Sequence, residues 1–337
     1  MQAGLLSAAL LGAQWLAGSP AHAAAGFDLS RPEIQRFIAT AAQQAPLTRA
    51  SVIRVLRHAH PQPDVIDKIT SPAETVLPWW QYRANFLTER RISDGAQFWQ
   101  KHRQTLEAVA REQGVAPEYI VAILGCETSY GRITGTDRVL DSLTTLAFDY
   151  PPRGDFFRGE LLQFLLLSRE ARLNPVTVKG SYTGAMGAPQ FMPSSYRRYG
   201  VDADANRHID LWHDWRDIFV SVANFLKQNG WQTGAPVLAE AQLAAGAPVP
   251  VAPRLLDLTQ TLDGLKAIGI TTNADLPGST PAVLIAADQP TGPAFRVGFN
   301  NFYVISRYNR SARYAMAVID LAHALAHALA DGPGPPP

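Results

Sequence analysis

Apolar residues recur at three- and four-residue steps through much of the chain. RPEIQRFIATAAQQ, from Arg31, and AQFWQKHRQTLEAVAREQG, from Ala96, carry this spacing and predict helices within 30–60 and over 93–113, the second stopped by Gly114. APEYIVAILGCETSYG then places Pro117 in the favoured first turn of another helix. In it Ile120, Ile123, Leu124 and Glu127 stand at i, i+3, i+4 and i+7, so Glu127 continues an apolar stripe. A carboxylate there loses water, which disfavours its charged form and equips it to protonate a glycosidic oxygen. The plainer reading is a slightly rolled helix whose Glu127 reaches solvent or pairs with Arg132. Between 236 and 300 the pattern shortens. PVLAEAQ, AVLIAA, AFRVGF and NFYVISRY read as strands around one helix, LLDLTQTLDGLKAIG, a small α+β lobe with Pro and Gly connections.

Three other stretches carry candidate chemistry. GSYTGAMGAPQFMPSSYRRYG, 180–200, sets four glycines among Tyr182, Gln190, Phe191 and Tyr196 before a helix beginning near Ser194. Glycines permit close backbone approach and aromatic faces suit sugar rings; a turn-rich connection with inward aromatics explains the same residues. DADANRHIDLWHDWRD, 202–217, puts Asp202, Asp204 and Asn206 at positions 1, 3 and 5 of a calcium-loop pattern, with the His208 main-chain oxygen at 7. Arg207 occupies the position of that loop's glycine and His213 that of its closing glutamate; a metal-free Asx-turn loop is the alternative. HALAHAL spaces His323 and His327 one helical turn apart, but the remaining residues of a zinc hydrolase motif are absent, and a terminal amphipathic helix is the better reading.

Composition narrows the class without deciding it. The 337 residues are 47% hydrophobic and 18% charged, ordinary for a globular protein of two or three packed units. Lys plus Arg total 30 against 29 Asp plus Glu, so no global field collects nucleic acid or an anionic membrane. Cys126 is the only cysteine, which excludes an internal disulfide and reads as a buried structural thiol. The first 25 residues have an apolar run ending in Ala21-His22-Ala23, the pattern of a secretory cleavage site, although no Lys or Arg precedes Arg31. Ser19 stands where a lipoprotein signal needs cysteine, and no later segment suits a membrane span. The mature protein is expected to be exported, soluble and periplasmic, with neither lipid anchor nor span.

ETSYGR, GSYTGAMGAPQFMPSSY, SVANFLKQNGW and NFYVISRYNRSARYAMAV, four ordered blocks, resemble the lytic murein transglycosylase B family, membrane-bound lytic transglycosylases and their soluble relatives, from about residue 30 to 328. The resemblance implies a mainly α (α+β overall) protein. Its lysozyme-like helical core, 115–235, is flanked by a helical region, 26–114, and the small β-containing lobe, 236–300. A return strand and C-terminal helix, 301–330, would complete the cleft, and 331–337 would be a disordered tail. The implied reaction cleaves the MurNAc–GlcNAc β-1,4 bond of peptidoglycan without net water, leaving a 1,6-anhydromuramoyl end. Glu127 matches the single acid/base. Ser181 and Gln190 match residues near the reacting sugar, Arg153 a cationic position after DYP, and Tyr308, Asn309 and Tyr314 the C-terminal wall; Tyr182, an aromatic of the same glycine-rich loop, is a further expected substrate contact. Where relatives often carry paired arginines this chain has Pro152 and Arg153, and Phe225 stands where they can carry tyrosine. The family's variant calcium loop is closed by a later aspartate, matched by Asp217, so the resemblance implies a site for one structural Ca2+ at Asp202, Asp204, Asn206, His208 and Asp217, beside the metal-free alternative. No cofactor is required for the chemistry.

Asp137 and Asp141, though downstream of Glu127, read as a turn residue and a helix N-cap. The expected partners are peptidoglycan glycan strands and other cell-wall enzymes. A hydrolytic muramidase and a non-catalytic wall-binding scaffold are the competing readings.

Overall fold

The computed structural model describes residues 26–70, 77–253 and 256–330. The secretory segment expected at 1–25 and the tail expected at 331–337 lie outside them. The described residues divide into two compact units, one holding 77–130 and 219–330, the other 26–70 and 131–218.

The chain enters the second of these units through α1 (Pro32–Ala41), α2 (Arg49–Leu56) and α3 (Pro63–Thr70). Pro32 opens α1 at a position where a missing N–H costs nothing. Thr48 and Ser51 form a reciprocal capping box at α2. In the other unit follow α4 (Trp79–Ala84), α5 (Glu89–Lys101), α6 (Arg103–Gln113) and α7 (Pro117–Thr128). Gly114 ends α6 at φ +70°, the left-handed conformation that favours glycine. Back in the second unit lie β1 (Asp137–Arg138), α8 (Val139–Asp149), a 3-10 turn at Pro151–Arg153, α9 (Gly154–Glu170), β2 (Lys179–Gly180) and α10 (Pro193–Tyr199). The boundary between the units then falls inside α11 (Trp215–Gln228).

The remaining chain builds β3 (Leu238–Leu243), β4 (Gln260–Thr261), α12 (Leu262–Ala267), β5 (Ile270–Thr272), β6 (Pro281–Ala286) and β7 (Phe295–Gly298). These strands form an antiparallel sheet in the order β4-β6-β7-β3-β5, with Leu284 opposite Val297 and Leu238 opposite Gly298. Leu265, Ile270, Leu284, Val297 and Phe299 make its small core. Among the described residues, the helix expected across LLDLTQTLDGLKAIG is confined to α12, capped by the Thr261 hydroxyl. NFYVIS, expected as a strand, is instead α13 (Asn300–Ser306), followed by α14 (Ala312–Ala330). Its aromatic and β-branched residues imitate a strand in composition. In the fold Asn301, Phe302, Val304 and Ile305 are all buried, a helical i, i+3, i+4 set. The result is the predicted class: mainly helical, with a small antiparallel sheet.

Candidate active site

The unit containing Glu127 is built around α7. Every residue from Tyr119 to Thr128 is buried except Glu127, which is partly exposed. From Tyr119 onward the apolar stripe is therefore one side of a helix enclosed all round, and Glu127 is where solvent reaches that stretch. Ile120, Ile123 and Leu124 are wholly buried, each contributing roughly 1.5–3 kcal/mol relative to exposure. α7 packs against α5 and α14.

The end of α7 is held by several contacts. Ser129 and Tyr130 both take positive φ, 49° and 64°, and the Tyr130 amide reaches back to the Leu124 carbonyl. The Tyr130 hydroxyl donates to the Arg91 carbonyl at 2.8 Å, while the Arg91 guanidinium donates to the Gly125 carbonyl at 3.3 Å. A Cβ on Gly125 would lie 2.7 Å from the Tyr130 ring, so glycine is required for this packing. Arg91 is a structural contributor that no sequence motif signalled.

Tyr314, at the start of α14, is wholly buried and donates its hydroxyl to Glu127 Oε1 at 2.6 Å. Burial, reinforced by the negative charge of Glu127, holds the Tyr314 phenol well above its ordinary pKa, so it stays a donor. Tyr308, half-buried between α13 and α14, is pushed up by the same two causes. Its ring stacks on Tyr314 at 6.4 Å between centroids and meets Phe225 at 4.7 Å. Asn309 is buried beside Tyr308 in sequence. Glu127 and the Tyr308–Tyr314 pair thus come together from two distant parts of the sequence. Cys126 is free and buried, and burial raises its thiol pKa, so it is no nucleophile.

The other predicted residues lie in the second unit. Ser181 is half-buried; its hydroxyl accepts from the Ala185 and Thr183 amides at 3.1 and 3.3 Å. Gln190, at φ +51°, donates its side-chain amide to the Gly187 and Thr134 carbonyls at 2.9 and 3.1 Å. Tyr182 is half-buried, with the Lys68 ammonium 5.9 Å from its ring centre. The Arg153 guanidinium lies 4.4 Å from the Phe156 ring centre, and burial lowers its pKa. The glycines of this loop serve the chain's own packing. A Cβ on Gly180 would lie 2.2 Å from the Ala185 carbonyl oxygen, and one on Gly187, at φ +69°, 2.4 Å from that of Leu211.

Asp141 is not an N-cap. It lies in the first turn of α8, where its carboxylate accepts the His60 amide at 2.9 Å and meets Arg138 at 3.1 Å. Asp137 pairs with Lys68 at 3.8 Å. The sequence offered no sign of Glu160, a buried carboxylate that accepts the Ser194 amide and hydroxyl at 3.0 and 2.7 Å and so caps α10. Ser194 stands 34 residues from it in the chain.

In the 202–217 loop, carboxylate oxygens of Asp202, Asp204 and Asp217 lie within 4.8 Å of one another. Asp217 is wholly buried; its oxygens accept the Ala203 and Asp210 amides at 2.8 and 2.9 Å. Burial raises its carboxyl pKa, and the charges of Asp214 and Asp204 add to the rise. Such a crowded oxygen set fits a hard cation. Arg207, in the glycine position, nevertheless adopts φ +69°, so the turn that glycine usually supplies is made. The Asn206 side-chain oxygen accepts the His208 amide at 2.8 Å, and His213 is exposed and directed to Asp210.

A family model described as transglycosylase SLT domain matches residues 30–323. The chain belongs to that family. This transglycosylase is 38% identical over 306 residues to membrane-bound lytic murein transglycosylase B of Escherichia coli (strain K12), covering 88% of this chain and 83% of that protein. Soluble lytic transglycosylase SltB1 of Pseudomonas aeruginosa is 43% identical, with a TM-score of 0.84 over 89% of this chain and all of its own. Escherichia coli Slt35, solved in complex with calcium, is 37% identical, with a TM-score of 0.81 over 90% of this chain and 96% of its own. The transglycosylase has the lysozyme-like fold of these enzymes and cleaves peptidoglycan. A non-catalytic scaffold is thereby set aside.

Proposed function

We propose that Glu127 is the single acid/base of this lytic transglycosylase and that the product carries a 1,6-anhydromuramoyl end. The observation that carries the proposal is the Tyr314–Glu127 hydrogen bond at the one partly exposed position between Tyr119 and Thr128. Tyr314 holds Oε1 and so restrains the carboxyl that transfers the proton. Glycosidases that add water use two carboxylates, the second acting as nucleophile or as base. A MurNAc substrate supplies both functions itself. Glu127 protonates the leaving glycosidic oxygen while the 2-acetamido oxygen attacks the anomeric carbon. The resulting carboxylate then takes the proton of the 6-hydroxyl, whose oxygen displaces the acetamido group and closes the ring. Glu127 ends protonated again and no water is consumed. Proximity replaces the second carboxylate.

Ser181, Tyr182, Gln190, Arg153, Tyr308 and Asn309 are proposed as substrate-binding residues on the strength of the family resemblance. Gln190 would act through its carbonyl oxygen, since its amide nitrogen already donates to main-chain carbonyls. We propose further that Asp202, Asp204, Asn206, the His208 carbonyl and Asp217 hold one structural Ca2+, which would neutralise the clustered carboxylates and fix the loop. The crowding of the three aspartates and the calcium complex of Slt35 support this. The site of action is proposed to be the periplasm, where peptidoglycan strands are the partner. No helix among the described residues is long and apolar enough to cross a membrane.

Mass spectrometry of digested murein sacculi tests the reading. Wild-type products should be lighter than hydrolysis products by one water, and Glu127→Gln should fold normally yet release almost none. Products with reducing-end MurNAc would replace it with a hydrolytic muramidase, and undiminished turnover by Glu127→Gln would remove the carboxyl from its assigned role.

A further inference from the structure

The second unit contains a cavity of about 480 Å³ that shares no lining residue with the candidate catalytic and substrate-binding positions. Leu47, Val52, Val55, Leu165 and Val176 supply an apolar floor, and the exposed Arg54, Arg169 and Arg172 stand around it with His58. None of the three guanidinium groups has an ion pair or side-chain hydrogen bond among the described residues, and no described acidic residue lines the cavity. The nearest carboxylate in sequence, Glu170, is committed to Arg197 through both oxygens at 2.7 Å.

Two of these cations have an ordinary explanation. Arg54 and Arg169 lie in the last turns of α2 and α9, where positive charge complements the helix dipole. Arg172 does not share it. It follows the C-cap Ala171 at φ +54°, a position usually given to glycine or asparagine because a larger side chain strains the backbone there. Retaining a guanidinium at such a position argues that the side chain itself is used.

We propose that this cavity binds the carboxylate-bearing stem peptide of peptidoglycan, as an attachment site separate from cleavage. The identity of the anion rests on the peptidoglycan activity; the anion site rests on the cavity alone. A stem peptide combines several carboxylates with alanyl methyls and an alkyl side chain. Guanidinium forks match carboxylates in paired hydrogen bonds, and the aliphatic floor accepts the methyl and alkyl groups. A concave pocket of this volume suits a compact ligand better than a flat lipid surface.

Isothermal titration of the full chain with the tetrapeptide L-Ala-γ-D-Glu-meso-diaminopimelate-D-Ala tests the assignment. Wild type should bind, and Arg54→Gln combined with Arg172→Gln should weaken binding at least about tenfold. Arg172→Gly should also weaken it while leaving the melting temperature unchanged or raised, because glycine relieves the strained φ; a purely structural arginine would give no loss of peptide. Turnover of glycan strands stripped of their peptides should be unaltered in these variants, with KM raised on intact sacculi. Absence of wild-type binding at millimolar peptide, equal affinity in the double variant, or equal binding of inorganic phosphate or of a fully amidated peptide would each overturn the proposal. Glu127→Gln should bind the peptide like wild type, so failure of the attachment site and failure of the catalytic reading give separate signatures.

Discussion

Tyr314 and Glu127 are the pair on which the chemistry turns. Their 2.6 Å contact is a charge-assisted hydrogen bond when the carboxyl is ionised, and Tyr314 brings to it a phenol that burial keeps protonated. Tyr314→Phe keeps the ring that stacks on Tyr308 and removes only the hydroxyl. Turnover should fall about ten- to a hundredfold with little change in KM, while stability changes by no more than about 1.5 kcal/mol. Steady-state kinetics and denaturant unfolding on one preparation check both numbers; unchanged kcat would reduce Tyr314 to packing. The sequence exposed half of this arrangement. A carboxylate interrupting an apolar run made Glu127 visible, and the family resemblance pointed to Tyr314 as part of a wall. That Tyr314 is wholly buried and turned toward the carboxyl depends on two helices meeting, which no local pattern records. Arg91 at the end of α7 was hidden for the same reason.

At the scale of elements, the glycine-rich loop is specified by contacts with its own chain. Gly180 faces the Ala185 carbonyl, and Gly187 combines a left-handed backbone with the Leu211 carbonyl at its back. Gly180→Ala should destabilise the fold by about 2–4 kcal/mol, since neither backbone segment can yield without breaking the Ser181–Ala185 hydrogen bond. Equilibrium unfolding measures it; a loss below about 0.5 kcal/mol would show that the loop relaxes. Glycine, proline and aromatic residues announced a turn-rich segment in the sequence, but their spacing could not distinguish room for a ligand from room for the protein's own carbonyls. The helices were legible where 3.6-residue periodicity coincided with Pro32, Pro117 or Gly114. α13 was not, because a seven-residue helix rich in Phe, Tyr, Val and Ile offers too few turns for its period to outweigh strand-like composition.

For the molecule as a whole, proton and metal linkage make a joint prediction. Burial raises the Asp141, Glu160 and Asp217 carboxyls, so the folded chain binds these protons more tightly than the unfolded chain. Each therefore costs stability as pH rises from about 4 through its raised folded value, and the cost is relieved as pH falls back. In chelator these three carboxyls should favour the fold toward acid pH, while His102, whose pKa burial lowers, takes stability away as pH falls below about 6.5. Calcium requires the loop carboxylates ionised, so saturating metal should raise the melting temperature at pH 7 by about 2–5 °C and by less near pH 5. Identical pH profiles with and without calcium would dissociate the Asp202–Asp217 loop from metal binding. Another molecular consequence follows from the 187 residues that separate Glu127 from the tyrosine beside it. The acid lies in α7 and its hydroxyl companion in α14, far apart along the chain. A polypeptide clipped ahead of α14 would thus keep its acid and lose the phenol that orients it, so a single proteolytic cut far from Glu127 should blunt cleavage of the wall.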